Sequence, residues 1–89
     1  MDTRSLLYFI AVAEHKGICQ AAARLHITQP ALTRQIHSLE DEIGVPLFTR
    51  CASGMEITPS GTALLAHARK IRAELAQAKI NALSAVDEQ

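Results

Sequence analysis

The chain has 89 residues, enough for one small domain with little room for a second. Hydrophobic residues make up 48% of it, but Tyr8, Phe9 and Phe48 are its only aromatic residues, and this composition favours packed helices over a β-sandwich. The formal net charge is zero, no apolar run approaches the roughly 18 residues of a membrane span, and no basic and apolar leader opens the chain. We therefore expect a mainly α protein of the cytoplasm with no membrane partner.

Charge is distributed unevenly along the chain. Nucleic-acid-binding domains are usually strongly basic, so a net charge of zero speaks against that function. Between residues 15 and 39, however, there is no acidic residue, whereas Lys16, Arg24 and Arg34 lie there, and the acids return as a block at positions 40–42. One surface can therefore be cationic although the total charge cancels.

The first two helices are predicted from caps and apolar spacing. Asp2 is a suitable N-cap for a helix that runs to about His15 and is ended by Gly17. The apolar side follows the spacing i, i+3, i+4, i+7 and consists of Leu6, Phe9, Ile10 and Ala13. A short second helix spans about Cys19–Leu25, and its three consecutive alanines permit close approach of another helix.

The third predicted helix spans Gln29–Ile43 and has one apolar and one polar side. Thr28 is a good N-cap, Pro30 falls in the first turn, where a missing N–H costs little, and Gly44 ends the helix. The apolar side consists of Leu32, Ile36, Leu39 and Ile43. The opposite side holds no large apolar residue and consists of Gln29, Pro30, Thr33, Arg34 and His37.

Two short strands are predicted after the third helix. They are Leu47–Arg50 and Met55–Ile57, and the four-residue turn between them ends in Gly54, which can adopt a positive φ. Phe48 and Ile57 are expected to hold this ribbon against the core.

A long helix follows the ribbon. Thr58 is its N-cap, Pro59 its first residue, and it is predicted to run to about Ala85. About 27 residues at 1.5 Å each span about 40 Å, which exceeds so small a body, so part of the helix must contact a partner. Apolar residues alternate by four and three in a heptad seam, which predicts a homodimer. The seam consists of Leu64, Ala68, Ile71, Leu75, Ala78 and Ala82.

Two helices joined by a tight turn, the second with a polar amino-terminal side, are typical of proteins that read the major groove of DNA. Gln29 can contact adenine, Thr33 can donate to a base or pack on a thymine methyl group, and Arg34 can contact guanine or a phosphate. His37 lies two turns into the helix, and for it DNA contact and simple exposure to solvent are equally good interpretations. For Arg24 we expect pairing with the acidic block rather than DNA contact.

Three stretches of the sequence form a familiar pattern: AAARLHITQPALTRQI at 21–36, LEDEIGVPLFTR at 39–50 and Thr58-Pro59-Ser60-Gly61. With them the chain resembles the N-terminal domain of LysR-type transcriptional regulators, and the resemblance covers essentially the whole chain. It implies a winged helix-turn-helix of residues 1–58, with a three-helix core and a two-stranded wing. It also implies a linker helix at 59–89 that pairs antiparallel with its twofold mate.

The same resemblance implies what the domain binds. A homodimer would bind double-stranded DNA at an interrupted inverted repeat near a promoter, with Arg50 of the wing on the backbone or minor groove. The residues implied to enter the major groove are Gln29, Pro30, Thr33 and Arg34. Arg4 and Thr28 would contact phosphates.

LysR-type regulators normally continue into a larger effector-binding domain, which is absent from this chain. We therefore expect a shortened form of a longer regulator, a naturally short protein being the alternative. A small-molecule effector would act only through that missing domain.

Several positions depart from the family's usual pattern. Ile18 and Cys19 replace a usual Ser-Phe pair, and Gln20 stands where a small hydroxyl residue often contacts a phosphate. In the wing, Ser53 and Glu56 stand where many members have arginine. We therefore expect altered packing at the start of the second helix and a weak minor-groove contact by the wing.

The residues offer no enzyme chemistry. The four histidines lack the spacing of a metal site, no Ser-His-Asp or Cys-His grouping can be argued, and no glycine-rich phosphate loop is present. We expect no cofactor and no metal, with Cys19 a small buried residue and Cys51 exposed. Two rivals stay open: an interaction module that forms mixed dimers with a related regulator, and a small hydrolase that uses Cys51 or a histidine.

Overall fold

The computed structural model describes residues 1–52 and 54–87, and its fold is mainly helical, as predicted. Its elements are α1 (Thr3–His15), α2 (Ile18–Leu25), α3 (Gln29–Ile43), β1 (Phe48–Cys51), β2 (Gly54–Ile57) and α4 (Pro59–Asp87). β1 and β2 form a two-stranded antiparallel sheet, called the wing below. α1 packs against α2, α3 and α4, so it lies at the centre of the helical part.

α1 begins at a capping carboxylate, as predicted. Asp2 accepts a hydrogen bond from the backbone N–H of Ser5 at 2.8 Å, and this bond, with one from the Ser5 hydroxyl, holds the pKa of Asp2 below its usual range. At the other end Lys16, with φ 55°, is the left-handed residue, while Gly17 is extended at φ 167°. Both donate their N–H to the Val12 carbonyl, so the helix end is satisfied without a left-handed glycine.

The core is formed by one side of each of the first three helices, joined by residues of the wing and α4. Phe9 is fully buried, and its ring centroid lies 5.3 Å from that of Phe48, a favourable separation for an aromatic pair. Phe48 is buried and Ile57 half-buried, so they hold the wing against the core as expected. The buried hydrophobic residues are Leu6, Phe9, Ile10, Val12, Ala21, Ala22, Leu32, Ile36, Leu39, Leu47, Phe48 and Ala68.

Two predicted buried positions are wrong. Ile43 is 40% exposed, because it is the last residue of α3 and Gly44 turns the chain there with φ 94°. Cys19 is exposed, because it lies outside the inner side of α2. That inner side has the spacing i, i+3, i+4, i+7 and consists of Ile18, Ala21, Ala22 and Leu25.

The wing differs slightly from its predicted bounds. β1 starts at Phe48 rather than Leu47, because the residue opposite Leu47 in this register is Thr58, the N-cap of α4, and β1 ends at Cys51 rather than Arg50. β2 starts at Gly54, whose φ of 132° is the positive value expected of it. Ser53, at the expected wing tip, lies outside the described residues. The paired residues are Phe48 and Ile57, Thr49 and Glu56, Arg50 and Met55, and Cys51 and Gly54.

The backbone of Leu47 joins three parts of the fold. Its N–H donates to Oε2 of Glu40 in α3 at 2.7 Å, and its C=O accepts the N–H of Thr58, the residue before α4, at 2.9 Å. Thr58 also donates its hydroxyl to the Pro46 carbonyl at 2.8 Å and accepts the Gly61 N–H at 3.0 Å, which makes it the predicted N-cap. The start of α4 is therefore fixed to the segment that precedes the wing.

α4 extends well beyond the rest of the domain. Its 29 residues span about 43 Å, within overall dimensions of 56 × 25 × 21 Å. Ala68 is 1% exposed and Leu64 half-buried, both against the core of this protomer. Every side chain from residue 69 to residue 86 is exposed. Within the described part of the chain, no helix is both long and apolar enough to cross a membrane.

A carboxylate of α1 holds two arginines of α4. Glu14 Oε2 lies 3.4 Å from Nη2 of both Arg69 and Arg72. The hydrogen bond from Arg72 and the charges of both arginines hold the pKa of Glu14 below its usual range. Desolvation of the carboxylate offsets part of this effect. These ion pairs lie where α4 leaves the domain.

Gly61→Ala is expected to destabilise the domain by about 2–3 kcal/mol, because an added Cβ would lie 2.3 Å from the Leu47 carbonyl oxygen and 2.6 Å from Cγ1 of Ile57. Thermal unfolding followed by circular dichroism measures the change. Gly17→Ala is the matched control, since it has open space around it and an extended φ, and should change stability by less than about 0.5 kcal/mol. Equal effects of the two substitutions would contradict the close approach at Gly61.

Glu14→Gln is expected to cost about 0.2–1 kcal/mol near pH 7, toward the low end because the Glu14 side chain is 36% exposed. A lowered folded-state pKa stabilises the fold above the unfolded-state pKa of about 4.3, and that stabilisation is lost as the pH falls through the folded value. The difference between the two proteins should therefore vanish in acid. Glu74→Gln removes the same charge from α4, where the described residues show no ion pair with it, and should leave stability unchanged. A difference for Glu14→Gln that stays constant as the pH falls from neutral into the acid range would exclude this account.

Candidate nucleic-acid interface

α2 and α3 are joined by a short, fixed turn. His26 adopts a left-handed conformation with φ 59°, and its N–H donates to the carbonyls of the last turn of α2. Ile27 is half-buried, and the Thr28 hydroxyl oxygen then accepts the Ala31 N–H at 3.2 Å, which starts α3 as predicted. Two helices connected in this way form a helix-turn-helix.

α3 turns one side to the core and the other to solvent. Leu32, Ile36 and Leu39 are at most 2% exposed. Of the five residues predicted on the polar side, Thr33 is half-buried and the other four are exposed: Gln29, Pro30, Arg34 and His37. The side chains that could read base edges are thus free to meet a DNA groove, although which of them do so stays a prediction.

The amino-terminal end of α3 carries no compensating negative charge. Its first turn contains no acidic residue, and Pro30 lies within it. Free N–H groups and the helix dipole make such an end favourable for an anion. Thr28 is exposed beside it, so a phosphate can approach both the hydroxyl group and the helix end.

The wing brings Arg50 close to the polar side of α3. Arg50 is exposed and lies on the same side of β1 as Phe48, since alternate residues of a strand share a face. A cleft of about 80 Å³ separates α3 from the wing, and Thr33, His37, Arg50 and Met55 all line it. The fold therefore places three of the predicted DNA-contacting residues, from α3 and from β1, around one cleft.

Arg4 lies apart from this group. It is exposed in the first turn of α1, and no hydrogen bond or ion pair among the described residues ties it to α3 or to the wing. Gln20, where the family often has a phosphate-contacting hydroxyl, is exposed in α2. Their contacts with phosphates stay predictions.

The acids near α3 are largely engaged elsewhere. Glu14 pairs with two arginines of α4, Glu42 pairs with the amino group of Met1, and Glu40 accepts hydrogen bonds from backbone N–H groups. The expected pairing of Arg24 with the acidic block is therefore wrong: no ion pair in the described chain joins it to residues 40–42. Arg24 is exposed near the end of α2 and adds to the acid-free stretch.

Sequence reasoning missed the role of Glu40. It was grouped with its acidic neighbours, but its Oε2 accepts the N–H of Leu47 at 2.7 Å and of Phe48 at 3.3 Å. Leu47 and Phe48 follow Glu40 by seven and eight residues, across the turn at Gly44. This spacing matches neither the helix nor the strand period, so the sequence gives no clear signal of the contact.

Comparisons with known proteins agree with this geometry. Residues 3–62 match the family of bacterial regulatory helix-turn-helix proteins, lysR family. The chain is 54% identical over 71 residues to the HTH-type transcriptional regulator ClcR of Pseudomonas putida. It is 52% identical over 71 residues to the HTH-type transcriptional regulator TfdS of Cupriavidus pinatubonensis (strain JMP 134 / LMG 1197). Each alignment covers 80% of this chain and 24% of the relative, so the chain spans about a quarter of the length of these relatives.

The fold is also that of a DNA-bound relative. The chain superposes on the crystal structure of the CbnR_DBD-DNA complex with a TM-score of 0.89 and 42% identity, over 97% of this chain and 99% of that chain. The family match extends over most of the chain, from α1 to the start of α4. The chain therefore belongs to the LysR family of bacterial helix-turn-helix regulators, as the DNA-binding domain of a transcriptional regulator and not as an enzyme.

Proposed function

We propose that this domain binds duplex DNA sequence-specifically as a homodimer, with α3 as the recognition helix in the major groove. The observation that carries the proposal is the exposed polar side of α3, which includes Gln29 and Arg34 and lies opposite the buried side chains of Leu32, Ile36 and Leu39. A major groove admits one α-helix, and side chains in its first turns reach base edges.

Each exposed residue of α3 has a chemistry suited to the groove. The Gln29 amide can donate to and accept from adenine, and the Arg34 guanidinium can bind guanine or a phosphate through two parallel hydrogen bonds. Pro30 and Thr33 offer apolar contact to a thymine methyl group, and the Thr33 hydroxyl can also donate. We assign specificity to these four residues, and to His37 a contact near the cleft.

Phosphate contacts fix the position of the domain on DNA. We assign them to Thr28 at the start of α3, to Arg4 in α1 and to Arg50 of β1, whose guanidinium can follow the backbone or enter the minor groove. The wing contributes modestly, because Glu56 of β2 is exposed and repels phosphates. Affinity is therefore largely electrostatic and sensitive to salt.

The homodimer forms through the free part of α4. Ile71 is 42% and Leu75 46% exposed, and Ala78 and Ala82 continue the same seam on an unsupported helix. Ala68 and Leu64 already pack within the protomer, so they border the dimer contact rather than form its centre. Twofold pairing of α4 places two recognition helices on an interrupted inverted repeat.

The wider role follows from the relatives. They are transcriptional regulators about four times as long as the aligned segment, so we propose that a small-molecule effector acts through a domain outside this chain. A regulator of bacterial promoters works where the DNA lies, in the cytoplasm.

A second candidate function is an interaction module that forms mixed dimers with a related regulator and blocks it. The exposed apolar seam of α4 and the net charge of zero favour it. DNA binding that is negligible and insensitive to salt would support this candidate against the first.

DNA binding is tested by fluorescence anisotropy on a duplex of about 40 base pairs, long enough for two half-sites. A random-sequence duplex should bind with an affinity that falls steeply with salt, and a duplex selected by the chain from a random library should bind more tightly. Arg34→Ala should weaken binding to the selected duplex by about 1–3 kcal/mol. Lys70→Ala removes the same charge from an exposed position of α4 and should change affinity by less than about twofold. Equal losses from both substitutions would refute the assignment of α3.

Leu75→Glu should convert the dimer into a monomer in sedimentation equilibrium, because a charge would be buried in the centre of the seam. Ile80→Glu is the matched control. It is 54% exposed and lies about 140° around the helix from Leu75, so it should leave the dimer intact. If Leu75→Glu sediments as the unmodified chain does, α4 is not the dimer contact.

A further inference from the structure

A side chain of α3 holds the start of the wing. Glu40 is half-buried, and its Oε2 accepts hydrogen bonds from the N–H of Leu47 at 2.7 Å and from the N–H of Phe48, the first residue of β1, at 3.3 Å. Hydrogen bonds from backbone N–H groups to a carboxylate are stronger than those between neutral groups. The neighbouring Asp41 is exposed and makes no such contact with the described chain.

This contact lies beside the predicted DNA-binding residues. Glu40 lines the same cleft as Thr33 and His37, which precede it on α3, and as Arg50, which faces them from β1. Phe48 and Arg50 lie two residues apart on one strand and share a face. The Glu40 carboxylate therefore binds β1 at Phe48, two residues before Arg50, whose guanidinium we assign to the DNA backbone.

The wing depends on such anchors, because an isolated two-stranded ribbon is only marginally stable. Phe48 ties it to α1 through the contact with Phe9, and Thr58 ties its base to the start of α4. Neither contact relates the wing to α3. In the described chain, the hydrogen bonds between α3 and the segment entering the wing are those of Glu40.

We propose that Glu40 is a positioning residue for DNA binding, which holds β1 in register with α3 so that Arg50 and the recognition helix contact one duplex together. The proposal rests on the proposed function, because it takes Arg50 to contact DNA. We assign Glu40 no DNA contact of its own, because its charge is unfavourable near phosphates and its Oε2 already accepts two N–H groups.

Two substitutions distinguish the effect of the length of the Glu40 side chain from the effect of its charge. Glu40→Asp keeps the carboxylate but is one methylene shorter, so it loses its reach to Leu47. Glu40→Gln keeps the length and one acceptor oxygen but loses the charge. Each is combined with Arg50→Ala, and the quantity compared is the fold-loss in affinity that Arg50→Ala causes in each background, so that any general effect of charge on affinity cancels.

The probe is the random-sequence duplex of about 40 base pairs at about 0.15 M salt, since a backbone contact is independent of sequence. In the unmodified chain, Arg50→Ala should weaken binding about fivefold and lower the salt slope by about 1. In Glu40→Gln the loss should stay within about twofold of that value, and in Glu40→Asp it should fall below about twofold. Arg34→Ala should cost the same in all three backgrounds.

The other outcomes are separable. An equal loss from Arg50→Ala in all backgrounds overturns the positioning role of Glu40 and leaves the proposed function standing. No loss in any background overturns the wing contact and this inference with it, while no salt-dependent binding of the unmodified chain overturns the proposed function as a whole. If thermal unfolding shows that Glu40→Asp is unfolded at the assay temperature, Glu40→Ala, which removes both acceptor oxygens, takes its place at a temperature at which it is folded, and an undiminished loss from Arg50→Ala there contradicts the proposal.

Discussion

The peptide groups around Leu47 are the constraint on which the arrangement of the domain depends. A buried backbone N–H or C=O must find a partner, and here the N–H is bound by a side chain of α3 while the C=O is bound by the residue that starts α4. The Leu47 side chain is 1% exposed in the core, so the segment cannot shift without opening it. Hydrogen bonds at Leu47 thereby fix the relative positions of α3, the wing and α4.

The same arrangement reconciles a net charge of zero with a DNA-binding domain. The carboxylates of Glu14, Glu40 and Glu42 are each engaged by a cation or by backbone N–H groups, whereas Arg34 and Arg50 are exposed and unpaired in the described chain. The net charge counts engaged carboxylates and exposed arginines alike, so it cannot distinguish them. For a small domain, the position of each charge decides whether one surface is cationic, and the total says little.

Local signals sufficed for much of the fold. The bounds of α3 were predicted to the residue, because Thr28, Pro30 and Gly44 each act on their own stretch of backbone. The polar side of α3 followed from the same period. What failed depended on packing and on contacts between elements: Cys19 is exposed because Ile18 takes the inner position of α2, and β1 starts late because Thr58, opposite Leu47, caps α4.

The candidate site divides in the same way. Exposure of the residues in α3 could be predicted from apolar spacing, but the meeting of Thr33, His37 and Arg50 around one cleft requires the wing to fold back on α3. The heptad seam was read as one surface, whereas Ala68 is already covered within the protomer. Periodicity identifies a side of a helix, and only packing determines what covers it.

The free length of α4 acts as a lever. Beyond Ala68 every described side chain of the helix is exposed, its ties to the body of the domain are the ion pairs of Arg69 and Arg72 with Glu14, and it extends about 26 Å past its root at Ala68. A rotation of about 10° at that root would displace the far end by about 4.5 Å, more than the roughly 3.4 Å rise of one base pair. In the proposed dimer, the packing around Gly61 and Ala68 would therefore set the distance between the two recognition helices.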